Sequence, residues 1–433
     1  PDGGQLCRNG RWELPRSTEQ ERITTPMIRE GAHYREASWE EALALVSERF
    51  KKARKADSDG ALLSSLCTDE ELSLFSSLFK TGLGMKRVDT FDGDILRGFV
   101  KGFGPFRKQG VRPFTAAHRI LESDCILNLC AEPDDEAPVV ASYIRVGALK
   151  NGAKLISVSC KGDPFKGLSD VEVKLPAACE EPDMLQGLAE TVSSLRLSHD
   201  DLGKGDHALD DYRASLAKAA EKAGVSAESL EEVVTALVQA ERPVLVLGSS
   251  VSVNPAIVTA STNLAIACGA RFDDGIGIVP LVVSGNSLGT INTVLANDAW
   301  LGREDLDFMY VYSTGLVPED EASLAAISST RFVVAQSPFM IHPLVNMADV
   351  LLPAPAWFER SGHFCTIEGE RRKLNVIVPP QGQVRGLASV LQDLSKDLGV
   401  KPGAPETPPC EQLFAGETLP EKARMVSLEE VSG

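Results

Sequence analysis

The stretch Asp124–Ser159, DCILNLCAEPDDEAPVVASYIRVGALKNGAKLISVS, decides the fold class. DCILNLC (124–130) is a short apolar run and reads as a buried strand. Ala137 to Lys150 reads as a helix that stops at Asn151-Gly152, a helix-ending pair. AKLISVS (153–159) is a second strand. Strand, helix and strand within roughly 30 residues is the βαβ period, whose crossover helix makes the two strands parallel.

The same alternation continues on both sides. ALLSSL (61–66), PVLVLG (243–248), DFMYVYS (307–313), RFVVAQS (331–337) and DVLLP (349–353) read as strands. They are nearly continuous apolar runs, as expected of a parallel sheet covered on both faces. Two helices open at the capping boxes Ser38-Trp-Glu-Glu41 and Thr68-Asp-Glu-Glu71. Further helices are expected over 185–195, 208–223, 229–240, 257–268 and 322–328. Leu387, Val390, Leu391, Leu394 and Leu398 form the apolar stripe of a last helix. After Val400 the chain turns rich in Pro, Glu and Gly, the composition of an extended tail. The expected architecture is α/β, with two doubly wound, mostly parallel-sheet units.

With 433 residues the chain has room for two or three domains, at roughly 150 residues each. Its formal net charge of −17 repels nucleic acid and anionic membrane, which excludes both as partners and suits docking on basic protein surfaces. No run approaches the 18 or so apolar residues of a spanning helix, so direct membrane insertion is not expected. The start carries no signal peptide, and a chain beginning at Pro1 is expected to continue a longer polypeptide. Nine cysteines without a CxxC pair read mostly as buried free thiols of a reducing cytoplasm.

Few local motifs carry chemistry. VLGSSVSVNP (246–255) follows a strand and opens a helix, so its amides could hold an anion, but it lacks GxGxxG and reads better as a turn. DTFDGD (89–94) has three carboxylates without the rest of a calcium loop. The six histidines are scattered and none pairs at i, i+4. Cys7 stands apart: LCRNGRW (6–12) sets a thiol in a polar, Arg-rich loop, where a thiolate is stabilised and can ligate metal. One thiol is a quarter of an iron–sulfur ligand set.

Taken together, these segments resemble the molybdopterin oxidoreductase superfamily, and within it NAD-linked formate dehydrogenases and the large iron–sulfur subunit of respiratory complex I. LCRNGRW is similar to the family's LCxKGR element, and RITTPMIREGAHYREASWEEALALV (22–46) to the segment after it. IRVGALKNGAKLISVS (144–159) resembles its central strand–helix–strand. ADVLLPAPAWFERSGHFCTIEGERR (348–372) resembles ADVVLPAxxxxEKxGTxxNxEGR, and VPPQGQVRGLASVLQDLSKDLG (378–399) the helix beyond.

The resemblance implies a domain plan. Residues 1–37 form an N-terminal segment adjoining an iron–sulfur site. Residues 38–115 with 290–400 form a first α/β domain, 116–289 a second, and 401–433 an extended tail. It also implies that Cys7 is a [4Fe-4S] ligand shared with upstream cysteines and that Arg11 lies near the cluster.

The departures from the family pattern point away from pterin chemistry. Active members hold molybdenum or tungsten through a Cys, selenocysteine or Ser just after the element matching VDTFDGDILRG (88–98), where this chain has Asp94, Ile95 and Leu96. The Lys of KGR is Asn9, and the Thr and Asn of GTxxN are His363 and Thr366. Val283 replaces the first Gly of a GQNNVQG-like loop that keeps Asn286 and Gly289. Family enzymes carry a further C-terminal domain that closes over the dinucleotide, which this chain is expected to lack. Asn286, Gly289, Gly362 and Glu368 are then expected as relic structural positions.

The expected function is a non-catalytic scaffold and electron-transfer subunit, complex-I-like, of an NAD(P)H-linked oxidoreductase complex. Its expected partners are flavin- and iron–sulfur-containing subunits, and its expected place is the cytoplasm or the cytoplasmic face of a membrane complex. The alternatives are an active molybdenum or tungsten formate-type dehydrogenase and a formylmethanofuran dehydrogenase-like subunit.

Overall fold

In a computed structural model, the described residues are 7, 10–12, 17, 19–176, 184–190, 192, 214, 216–221, 223–282, 284–295, 305–315, 321–340, 343–367, 369–401 and 423–431. Expectations for most of 191–213, for the tail up to 422, and for Asn9, Val283 and Glu368 lie outside them. The chain forms two compact units. One comprises Trp12–Asp94 and Ser284–Glu411; the other comprises Pro1–Arg11, Ile95–Val283 and Gln412–Gly433.

The first unit is built on a seven-stranded sheet. Its strands are β1 (Met27–Glu30), β2 (His33–Glu36), β3 (Asp59–Leu63), β4 (Val88–Thr90), β12 (Phe308–Tyr312), β13 (Val333–Ser337) and β14 (Val350–Pro353), in the order β2-β1-β14-β13-β12-β3-β4. From β14 to β4 the strands are parallel, and every residue of β3, β12, β13 and β14 is buried, as the apolar runs require. The chain steps outward from β3 to β4, then returns to lay β12 against β3 and steps the other way to β13 and β14. The order therefore reverses between β3 and β12, a topological switch point.

The β1–β2 hairpin, turned at Gly31 with φ +63°, adds antiparallel to β14. Met27 and Ile28 pair with Leu351 and Val350. Segment 22–37 is thus part of this sheet's edge. Helix α1 (Trp39–Lys55) starts where Ser38 accepts the Glu41 N–H, while the Glu41 carboxylate turns to Arg35. Helix α2 (Asp69–Phe75) has the complete reciprocal box between Thr68 and Glu71. It runs on into a π-helical turn, Ser76–Gly82, that no spacing in the sequence announces. Lys80 on that turn donates to the carbonyls of Val294 and Leu295, closing the end of helix Ser287–Thr293.

The second unit holds a parallel five-stranded sheet. Its strands are β5 (Cys125–Leu129), β6 (Lys154–Ser159), β7 (Val171–Lys174), β8 (Pro243–Leu247) and β11 (Ile278–Pro280), ordered β11-β8-β5-β6-β7. Arg271–Phe272 (β9) and Gly275–Ile276 (β10) form a small antiparallel pair. The opening stretch folds as read: β5 and β6 are parallel partners, and helix Pro138–Asn151 between them ends at Gly152 with φ +76°. The order reverses between β5 and β8, a second switch point.

The sequence-based boundary near residue 115 differs from the break at Asp94/Ile95. Helix Gly93–Lys108 explains why. A Cβ on Gly98 would lie 2.0 Å from the Ser252 carbonyl oxygen, and one on Gly102 would lie 2.5 Å from Val258 Cβ. Two glycines four apart let this helix press directly on residues 252–258, so it belongs with them. Cys67, Cys125 and Cys268 are buried free thiols, but Cys130 and Cys365 are disulfide-bonded, which departs from the free-thiol expectation.

Candidate functional site

Cys7 sits at the foot of a short helical turn, half-buried and with a free thiol. Its Sγ accepts the Gly10 N–H at 3.3 Å and its carbonyl accepts the Arg11 N–H at 3.0 Å. Among the described residues no group of three His, Cys, Asp or Glu side chains converges as a metal site.

Open α/β sheets bind ligands outside the carboxyl ends of the strands at the switch point. In the first unit that place lies past Leu63 and Tyr312, where several protein groups bond to one another. One Glu71 carboxylate oxygen accepts the Tyr312 hydroxyl at 2.8 Å. The other accepts the Thr68 N–H at 2.9 Å and an Arg360 N–H. Arg360 also donates to the Leu66 carbonyl at 2.6 Å. The Arg360 and Glu71 side chains are 5% and 14% exposed, so this is a buried pair tied into a hydrogen-bond network. Burial pushes Tyr312 well above its ordinary range, and it pushes the neighbouring Cys67 thiol up as well. Cys67 therefore stays protonated and offers no thiolate.

Beside this network stands a second one. Asn286 donates to the Cys67 carbonyl at 2.8 Å and to Asp69 at 3.0 Å, and accepts the Cys365 N–H at 2.8 Å. A Cβ on Gly289 would lie 2.5 Å from both Asn286 Oδ1 and Asp69 Oδ1, so only glycine fits there. Gly362 is equally constrained, its Cβ position lying 2.6 Å from Thr68 Cγ2. His363, where the family pattern has Thr, gives its N–H to Glu70 at 3.0 Å and sets Nδ1 2.6 Å from the same carboxylate. Thr366 accepts the Glu370 N–H in the turn joining Gly362–Cys365 (β15) to Arg371–Leu374 (β16).

Within DTFDGD the Asp92 carboxylate is taken by protein hydroxyls. Asp92 is buried and accepts the Ser65 and Thr90 hydroxyls, both at 2.7 Å, and burial raises its pKa. Asp94 is exposed, Ile95 half-buried and Leu96 wholly buried.

At the second unit's switch point the backbones themselves close up. A Cβ on Gly248 would lie 2.1 Å from the Cys130 carbonyl oxygen. The Ser249 N–H, the loop amide that could have met an anion, donates to Glu136 Oε2 at 2.8 Å. Glu136 Oε1 takes the Glu132 N–H at 2.7 Å. The Ser249 amide is thus engaged by a protein carboxylate. Sequence reasoning missed Glu136, Tyr312 and Arg360 as site residues. Only the anion-competent loop 246–255 and the Glu71 cap hinted at them.

The molybdopterin oxidoreductase family model matches residues 22–397. The chain belongs to the molybdopterin oxidoreductase family. It is 27% identical over 89% of its length to NADH-quinone oxidoreductase subunit 3 of Thermus thermophilus, covering 45% of that protein. It is 25% identical over 92% of its length to the probable oxidoreductase YjgC of Bacillus subtilis, again covering 45%. A third relative is the F420-dependent formate dehydrogenase subunit alpha of Methanocaldococcus jannaschii, 21% identical over 92% of this chain and 65% of that one. The chain spans about half the length of the first two.

Acetylene hydratase from Pelobacter acetylenicus shares the fold with a TM-score of 0.64 at 14% identity, over 92% of this chain and 64% of that one. A chain of the formyltransferase/hydrolase complex from Methylorubrum extorquens shares it at 0.56 and 14%, over 86% of this chain and 98% of that one. The protein is an oxidoreductase-family member whose relatives include subunits of multi-protein complexes. Among the described residues no helix is long and apolar enough to cross a membrane.

Proposed function

We propose that this chain is a non-catalytic scaffold and electron-transfer subunit of an NAD(P)H-linked oxidoreductase complex, comparable in role to the complex I relative. The observation that carries the reading is Leu96. Where the family pattern places a metal ligand, the chain offers aliphatic Ile95 and a wholly buried Leu96, which have no lone pair to give. The switch points support it, because Glu71 and Tyr312 in one and Ser249 and Glu136 in the other are hydrogen-bonded to protein groups. The residues present do not fit a pterin-held metal.

Cys7 then acts as one ligand of a [4Fe-4S] cluster completed by cysteines upstream, with the Arg11 side chain near enough to raise its potential. The subunit works beside flavin- and iron–sulfur-containing partners in the cytoplasm or on the cytoplasmic face of a membrane complex. Replacing Cys7 by Ser in the intact complex is expected to remove or shift one cluster signal in electron paramagnetic resonance while assembly persists. An unchanged spectrum, or formate-dependent dye reduction by the wild-type complex, overturns the proposal.

The 98% coverage of a formyltransferase/hydrolase chain favours a second reading, a subunit of a formyl-transfer assembly. The identity of the partners that co-purify with the protein separates the two.

A further inference from the structure

The helix Pro255–Ala267 is buried along nearly its whole length and built mainly from Ala, Ile, Val, Leu and Thr. One asparagine interrupts it. Asn263 is 0% exposed, a costly place for an amide unless every polar atom is paired. Its partners come from far along the chain. Nδ2 donates to the Val426 carbonyl at 2.7 Å and to Gln186 Oε1 at 2.8 Å, and Oδ1 accepts the Val426 N–H at 2.8 Å. Two residues earlier on the same segment, Gln109 makes the matching pair, donating to the Arg424 carbonyl at 3.1 Å and accepting its N–H at 2.9 Å.

Two side-chain amides thus pair with the main chain of alternate residues, as a neighbouring strand would, although 423–427 belong to no sheet. Ala423 and Val426 are the buried anchors, 7% and 6% exposed, while Arg424 and Met425 face outward. A cavity of about 470 Å³ continues beside them, lined by Gln186, Glu190 and residues 425–429.

We propose that this groove, formed by Gln109, Gln186 and the Asn263 face of helix Pro255–Ala267, is a binding site for an extended peptide. Its resident and releasable occupant is the chain's own segment Ala423–Val431. Recognition is by main chain plus a small residue and an aliphatic residue three positions later. Main-chain clamps at Arg424 and Val426, the buried Ala423 and Val426, and the turn Leu428–Val431 against the same helix hold the segment, against full ladders on both sides of β8. It therefore opens far more readily than the sheet beneath it.

Hydrogen exchange on the full chain tests this. The amides of Arg424 and Val426 are expected to be protected about a hundredfold over a free peptide, and Asn263→Ala to remove most of that while β8 keeps its protection. Val426→Asp is expected to expel the segment, after which a labelled synthetic peptide spanning 420–433 binds the variant chain. Adding Asn263→Ala to that variant is expected to weaken the peptide at least about tenfold. Exchange at the free-peptide rate in the wild type overturns the proposal, as does unchanged protection in Asn263→Ala. Protection that appears only in a concentration-dependent dimer replaces the in-chain occupant with a second copy and overturns the assignment made here. If Val426→Asp fails to fold, the wild-type and Asn263→Ala exchange rates decide alone.

Discussion

Arg360 and Glu71 form a buried ion pair in the first unit. Breaking a buried pair leaves one charge uncompensated, at a cost of about 3–5 kcal/mol. Arg360→Ala is therefore expected to lower unfolding free energy by about 3 kcal/mol in urea titrations. Glu71→Gln combined with Arg360→Met keeps an acceptor for Tyr312 and removes both charges. It is expected to recover more than half of the loss, whereas additive losses would show that the pair is not coupled.

Asp274 gives a residue-scale pH prediction. Burial alone would raise its pKa, but the Thr115 hydroxyl at 2.6 Å, the Ala116 N–H at 2.9 Å and the Arg119 charge outweigh that and hold it below the usual range. The folded carboxylate binds its proton less tightly than the unfolded one. Its contribution is thus complete above the unfolded value of about 3.9 and disappears as pH falls through the folded value. Asp274→Asn is expected to reduce stability at pH 7 and to flatten the acid limb of the stability curve below about pH 4. An acid limb as steep as that of the wild type would contradict the assignment.

At the scale of elements, helix Gly93–Lys108 offers an internal control. Gly98→Ala puts a methyl group 2.0 Å from a backbone carbonyl and is expected to cost about 3 kcal/mol. Gly104→Ala on the same helix meets nothing within 4 Å and is expected to stabilise by about 0.5 kcal/mol. Equal effects in thermal unfolding would contradict the close packing. The same helix shows what a sequence can reveal. Strands β5, β6, β8, β12, β13 and β14 were legible because a sheet buried on both faces demands unbroken apolar runs. The allegiance of this helix was not, since it depends on glycines meeting residues some 150 positions away, as in the Thr259 hydroxyl bond to the Gly102 carbonyl. The π-helical turn was hidden for a similar reason: its Lys80 partners lie more than 200 residues on.

For the whole molecule, the parallel sheets and both switch points follow from alternation and crossover rules that act along the chain. The side chains that meet at the switch points do not. Tyr312 and Arg360 lie 241 and 289 residues from Glu71, and Glu136 lies 113 from Ser249. Local spacing cannot connect them. Leu96 has no lone pair to give, which is legible from its chemistry alone, and the structure buries it completely. The family architecture is retained, and at the two switch points Glu71, Arg360 and Glu136 make their hydrogen bonds to protein groups.

Metal analysis of the protein, isolated from its native host with its partners, tests this account most directly. The account predicts molybdenum and tungsten below about 0.05 atoms per chain, well under the one per chain of a loaded pterin site. One molybdenum or tungsten per chain would contradict it.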